Sequence, residues 1–234
     1  QRLARQLLSE VDRVEGQLRS HVLGRRGSVR IAAPANLFPN VLLPGLRAFR
    51  QANPGVRLEF ADVPSDEAVH RLHAHQADLA IGVRAGGETG LRTQGGGQYP
   101  YVAILPDTPA LAARRAIRWR DIQTEDVVVL QARDSLTSRI ARTLGEAGVM
   151  PQAAYRVNEL STAAALVHGG FGVGLMSYWS AHQIFKPGLM IRMLSEPSLN
   201  GTIVLQTLPS VELSPQVRQL QEALRRHAPT LPRL

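Results

Sequence analysis

The stretch from Val29 to Phe60 constrains the fold most, because it reads as strand, helix, strand within one short span. Val29-Arg30-Ile31-Ala32-Ala33 is a short, largely apolar run, and Pro34-Ala35-Asn36 forces a turn. Phe38, Leu42, Leu46 and Phe49 then fall at helical spacing, one stripe of an amphipathic helix. Asn53-Pro54-Gly55 stops that helix, and Val56, Leu58 and Phe60 alternate with Arg57 and Glu59 as a strand does. Two parallel strands joined by a crossover helix are the unit of an open α/β sheet. In such sheets ligands sit at the carboxyl ends of the strands, against helix N-termini. The helix N-terminus at Asn36 is the first candidate binding point.

More units of this kind follow. A polar helix is expected from Ser65 to His75, with Val69 and Leu72 on its apolar side, and Asp78 to Val83 reads as a buried parallel strand. Gly86-Gly87 with Gly90, and Gly95-Gly96-Gly97, read as loose connections before a strand at Tyr101 to Leu105. A second set has strands at Val127 to Leu130, Tyr155 to Val157, Val173 to Met176, Leu189 to Leu194 and Thr202 to Gln206. Its helices are expected at Ala110 to Ala116, Ser135 to Gly145, Ser161 to His168 and Tyr178 to Ile184, with a polar turn introduced by Trp119. Pro215 opens a final helix. Ahead of all this, Leu3, Leu7, Val11, Val14, Leu18 and Val22 form one stripe of a helix over residues 1 to 23. A lone helix of that length is marginal in water, so the stripe needs a surface, which a partner helix from a second chain would supply. Arg25-Arg26-Gly27-Ser28 reads as a flexible joint.

Composition excludes several classes. With 234 residues, 44% hydrophobic and 20% charged, the chain has material for a substantial core. The absence of cysteine removes disulfide and thiolate chemistry. Nothing approaches the ~18 consecutive apolar residues of a membrane span. The net charge of +8 rests on 27 basic residues, all arginine but Lys186, with no basic run long enough for a nucleic-acid footprint.

Catalytic and metal constellations are weak. His70, His73 and His75 lie on a polar helix with Asp66, where solvated histidines need no metal. Gly170-Phe171-Gly172-Val173-Gly174 leaves a helix and enters a strand, the reverse of a dinucleotide fingerprint, so its glycines serve a helix end and close packing. No Gly-x-Ser-x-Gly elbow is present, and nothing in the spacing joins Asp134, Ser135 and His168 into a triad. Ser135 and Ser161 read instead as helix N-caps. No catalytic residue, metal ligand or cofactor is expected. What remains are helix N-termini at Ala35-Asn36-Leu37, Asp134-Ser135-Leu136 and Leu160-Ser161-Thr162, whose unpaired N–H groups favour carboxylate or phosphate. Gly82-Val83-Arg84 and Arg133 end strands and offer counter-charge.

Gly27 to Ile31, Leu43-Pro44, Phe49, Asn53-Pro54-Gly55-Val56 and Ala77 to Gly82 together resemble the effector-binding domain of LysR-type transcriptional regulators. Leu166 to Met176 resembles that family's second subdomain. The resemblance spans essentially the whole chain. It implies an α/β fold of two Rossmann-like subdomains of type II periplasmic-binding-protein architecture, joined by two crossing strands and preceded by an N-terminal linker helix. It divides the chain into linker and joint at 1–27, subdomain I at 28–103 plus 204–234, and subdomain II at 104–203. It implies a cytoplasmic, ligand-sensing module that self-associates as dimer or tetramer, with no membrane contact. DNA recognition is expected of a winged helix-turn-helix ahead of residue 1. By the resemblance, the effector site is lined by Ala35, Asn36, Leu37, Gly82, Val83, Arg84, Arg133, Ser135, Leu136, Asn158, Ser161 and Thr162, which favours a small anionic effector. Family members often place Ser or Thr after the first strand, where Ala33-Pro34-Ala35-Asn36 offers a single amide. Thr108 and Ser177 replace a frequent histidine and proline in surface turns. A periplasmic solute-binding protein shares the two-lobed architecture and is the alternative; the N-terminal amphipathic helix favours the regulator.

Overall fold

A computed structural model describes residues 27–84, 90–107, 116–122, 126–130, 145–146, 148 and 154–229. The linker helix expected over residues 1 to 23 lies outside the described residues, as do the helices expected at 110–116 and 135–145 except for their last residues. The chain forms two compact units, residues 1–97 with 202–230, and residues 98–201 with 231–234.

The first unit is built on β1 (Ser28–Ala33), α1 (Leu43–Ala52), β2 (Arg57–Asp62), α2 (Ser65–His73) and β3 (Leu79–Val83). β2 and β3 both run parallel to β1, one on each side. β10 (Asn200–Thr207) returns antiparallel beside β3, pairing Leu205 with Ile81, and β4 (Arg92–Pro106) follows it in the sheet order. The final helix α5 (Pro215–Arg226) packs on α1. Ser214 caps it, accepting the Val217 N–H at 3.3 Å, with Pro215 in the first turn where no amide is needed. Ala32 and Ala80 meet Ala68 and Leu72 of α2, while Val29, Ile31 and Ala33 alternate onto the opposite face and are equally buried. Burial on both faces is why these strands read as nearly unbroken apolar runs. Arg30 is the exception in β1. Its guanidinium grips Asp78 through Nη2 (2.7 Å) and Nε (3.3 Å), and donates from Nη1 to the His75 carbonyl (2.7 Å).

The helix expected to begin near Phe38 is three segments: a 3-10 turn at Ala35–Leu37, a π-helical turn at Phe38–Leu42, then α1. The extra residue of a π turn changes the register of the stripe. Leu42, Leu46 and Phe49 stay in the core, and Phe38 rotates out to meet Phe60 edge-on at 5.4 Å. Phe60 is 49% exposed because β2 is the edge strand of its sheet.

In the second unit β6 (Val127–Leu130) runs parallel to both β7 (Tyr155–Val157) and β8 (Val173–Ser177). β4 lies antiparallel to β8 and to β9 (Leu189–Ser195), and β9 pairs with the short β5 (Ala116–Arg118). α3 (Leu160–His168) packs on β6, and α4 (Tyr178–Ile184) follows β8 directly. Trp119 does not open a polar turn: it is buried in a 3-10 turn, and its indole N–H donates to the Pro197 carbonyl at 2.8 Å.

The two glycine blocks behave differently. Gly95 to Gly97 are strand residues of β4, not a loose connection. A side chain at Gly96 would reach within 2.7 Å of Leu205, so glycine here lets β4 carry on past β10. In the second block Gly169 ends α3, and Gly172 stands at φ +135 with room for no side chain. An added Cβ would meet the Asp126 carbonyl oxygen, the acceptor of the Val173 N–H at 2.9 Å.

Candidate functional site

In each unit the parallel strands end on one edge, where helices begin. On the first unit this edge carries the turn after Ala33, the N-terminus of α2 and the residues ending β3. Pro34 supplies the extended backbone that a cap requires but no side-chain acceptor, and the Leu37 N–H closes on its carbonyl at 3.0 Å. Asn36 therefore does not cap the helix; it sits one residue inside the turn, half-buried and engaged elsewhere in the fold. Ala35 beside it is exposed, and Leu37 is 2% exposed, a core residue.

At the end of β3, Gly82 is buried against Ser65, the first residue of α2; a Cβ on Gly82 would lie 2.9 Å from the serine hydroxyl. That close approach lets Ser65 Oγ accept the Val83 N–H at 3.2 Å. Arg84 is exposed just beyond, its own N–H tied to the Thr202 carbonyl at 2.8 Å. Ser65 is missing from the sequence-based site, although Pro64-Ser65-Asp66-Glu67 after a strand is a helix-start signal. Asp66 and Glu67 occupy the first turn of α2 and already complement its dipole, which makes that helix start unfavourable for an anion. The turn at Ala35 carries no acidic residue.

On the second unit, Asn158, Ser161 and Thr162 are exposed around the start of α3. Ser161 is not the N-cap. Glu159 holds the extended cap position, without a side-chain capping bond, and Leu160 is already helical, so Ser161 falls in the first turn with its hydroxyl outside the capping geometry. The cap that sequence reading missed is Ser177, whose Oγ accepts the Ser180 N–H at 3.1 Å and donates to Ser180 Oγ at 2.8 Å. Behind it Tyr178 is buried, with its ring centroid 4.3 Å from that of His182. Burial pushes the Tyr178 phenol above its ordinary pKa and the His182 imidazole below its own. Arg133, Ser135 and Leu136 lie outside the described residues.

The edge of the first unit thus carries an amide and an arginine, and the edge of the second carries an amide and hydroxyls at a helix start; groups of these kinds suit an anion. Among the described residues no cluster of His, Asp or Glu is arranged to hold a metal ion. The model of the LysR substrate binding domain matches residues 23–229. The chain belongs to the LysR substrate-binding domain family. Membership places it among the effector-binding parts of regulators and does not favour a periplasmic solute-binding protein.

The LysR-type regulator TtuA of Agrobacterium vitis, an HTH-type transcriptional regulator, is 26% identical over 183 residues, which cover 76% of this chain and 59% of TtuA. The chain thus spans about three-fifths of that relative's length. Among solved LysR effector-binding domains, that of QuiR in complex with shikimate superposes with a TM-score of 0.76 at 16% identity, covering 86% of this chain and 97% of QuiR's. That of BenM with its effector benzoate gives 0.75 at 18% identity, covering 85% and 90%. These likenesses establish the mixed α/β, periplasmic-binding-protein-like fold.

Proposed function

We propose that this chain is the ligand-sensing and oligomerising part of a LysR-type, DNA-binding transcriptional regulator, and that its effector is a small carboxylate. The observation that carries this reading is the family match across residues 23–229. Support for a carboxylate comes from the donors at the edge of each unit and from the ligands of BenM and QuiR, benzoate and shikimate, which are both carboxylates. In this reading the donors on the first unit are Asn36 and Arg84 and those on the second are Asn158, Ser161 and Thr162, with Arg133, Ser135 and Leu136 as further candidates; Ala35 leaves its turn open, and Gly82 and Val83 shape the strand end against Ser65. Leu37 acts through the core, by holding the turn. DNA binding falls to a segment outside this chain, and the protein works in the cytoplasm.

Charge-assisted hydrogen bonds contribute roughly 1.5–3 kcal/mol each, so one lost contact weakens binding about tenfold or more. A thermal-shift screen of small metabolites is expected to return carboxylates, and titration of the best hit should weaken about tenfold in Arg84→Ala and in Ser161→Ala. Because Ser161 makes no capping bond, its replacement leaves stability nearly unchanged and affinities compare directly. Cationic or neutral hits, or an anionic hit indifferent to both changes, would sink the assignment.

Self-association has its own support. Each unit has an edge strand bearing an aromatic pair: Phe38 with Phe60 beside β2, and Tyr155 with Phe171 at β7, with Phe171 51% exposed. Exposed aromatic groups on strand edges that no other described strand pairs are what an interface covers. A second copy is the partner this reading assigns them, along with the stripe from Leu3 to Val22. Phe60→Glu should raise the dissociation constant of the oligomer by about tenfold or more in sedimentation. A monomeric parent protein would remove the idea.

A further inference from the structure

At the opposite edge of the first unit, where β1 begins, lies a cavity of about 680 Å³, within the roughly 300–1,000 Å³ of small-molecule sites. Part of its lining is apolar. Leu72, Ala77 and Val217 present buried side chains to it, and Leu208 and Val211 line it half-buried from the β10–α5 connection. A second hollow, of about 370 Å³, borders the same connection; it shares Val211, Glu212, Leu213 and Arg218 with the first and adds Arg92.

The charged lining decides what fits. Arg30 and Asp78 stand in the wall, but they are engaged with each other and with the His75 carbonyl. Glu59 keeps only an exposed pair with Arg57, at 3.4 Å, which water screens. Glu212, on the β10–α5 connection, and Arg218, one turn into α5, line the cavity with no ion pair among the described residues. The first turn of α5 carries no acidic residue to engage Arg218. Two carboxylates and one guanidinium are therefore open to a ligand that also covers apolar surface. An ion of one sign would meet a like charge here and leave the other unanswered.

We propose that this cavity is a second ligand site, for a small zwitterion with an apolar body of the amino-acid or dipeptide kind. Its ammonium group lies toward Glu59 and Glu212, its carboxylate toward Arg218, and its apolar side chains on Leu72, Leu208 and Val217. Such a ligand holds the connection between β10 and α5, where the Val211 N–H reaches the Leu208 carbonyl only at 3.4 Å. The inference is independent of the effector reading, which concerns the other edge of the sheet.

Calorimetric titration of the whole chain with the dipeptide Leu-Leu, its N-acetyl form and its C-terminal amide tests it. Leu-Leu is expected to bind, and each capped form to bind about tenfold more weakly or worse. The double change Glu59→Gln with Glu212→Gln should abolish the penalty for acetylation and keep that for amidation. Arg218→Gln should do the reverse. All three residues are exposed, so the variants keep the fold. Hydrogen exchange gives a second reading: with Leu-Leu bound, amides over residues 209–214 should exchange at least tenfold more slowly. No binding of Leu-Leu, capped forms that bind equally well, or unchanged exchange over 209–214 would each overturn the proposal. Arg84→Ala, at the other edge, should leave the affinity for Leu-Leu unchanged. A tenfold loss in that variant would put the dipeptide in the effector site and overturn the second site, while the effector reading would stand.

Discussion

Gly172→Ala is expected to destabilise the second unit by about 3–5 kcal/mol, enough to leave much of the protein insoluble or unfolded at working temperature. Two costs add at this position. At φ +135 an L side chain is strained whatever the space around it, and the new methyl would run into the Asp126 carbonyl. That carbonyl is backbone and holds the Val173 N–H, so moving it aside breaks the start of β8 as well. Gly170→Ala makes the comparison, because its φ is +77 but nothing lies within 4 Å of the added atom. It should cost only the conformational part, about 1–2 kcal/mol. Urea melts of the two variants separate the effects; equal losses would mean that the collision with Asp126 does not operate.

Asp78→Ala is expected to cost about 2–3 kcal/mol. The carboxylate accepts the Arg30 backbone N–H at 2.8 Å as well as the guanidinium, and the two side chains are only 23% and 25% exposed. Removing it leaves a half-buried cation held by the His75 carbonyl alone. Replacing both residues by leucine should recover part of the loss, since no unpaired charge then remains. Glu222→Ala on α5 breaks exposed pairs with Arg225 and Arg226 and should change stability by at most about 0.5 kcal/mol. A denaturant series that fails to separate Asp78 from Glu222 would contradict the role given to the inner pair.

The elements that sequence reading located well are those in which one physical demand dominates. The unbroken apolar runs of β1, β3 and β6 and the proline-led start of α5 stand where expected, because burial on both faces and a missing amide leave few alternatives. The errors fall where tertiary contacts override local signals. Gly95 to Gly97 carry a loop composition, but Gly96 passes beside Leu205 of β10, where a side chain would collide. Phe38 fits the helical stripe until a π turn displaces it, and no residue pattern announces that turn. Phe60 alternates as a core residue would, yet among the described residues β2 has no strand on its outer side.

The candidate site was legible by its edges and not by its atoms. Strand order places ligands at the carboxyl ends, which follows from topology alone. Which hydroxyl caps which helix depends on one residue of register, and there the expectation slipped: Glu159 precedes α3 where Ser161 was expected, and Asn36 sits inside its turn. Ser65 and Ser177 hold bonds to partners 18 and three residues away, the first of which no local pattern contains.

The antiparallel pairing of β10 with β3 has a consequence for synthesis on the ribosome. Val83 waits for Ile203, its partner 120 residues later in the chain. At the usual rate of translation that interval is on the order of ten seconds. Through it β3 offers a bare hydrogen-bonding edge, and α1 stands without α5. Residues 98–201, by contrast, emerge in one piece and can close before the first unit is complete. The first unit therefore begins before the second and is finished after it, and in the interval its apolar face stays open.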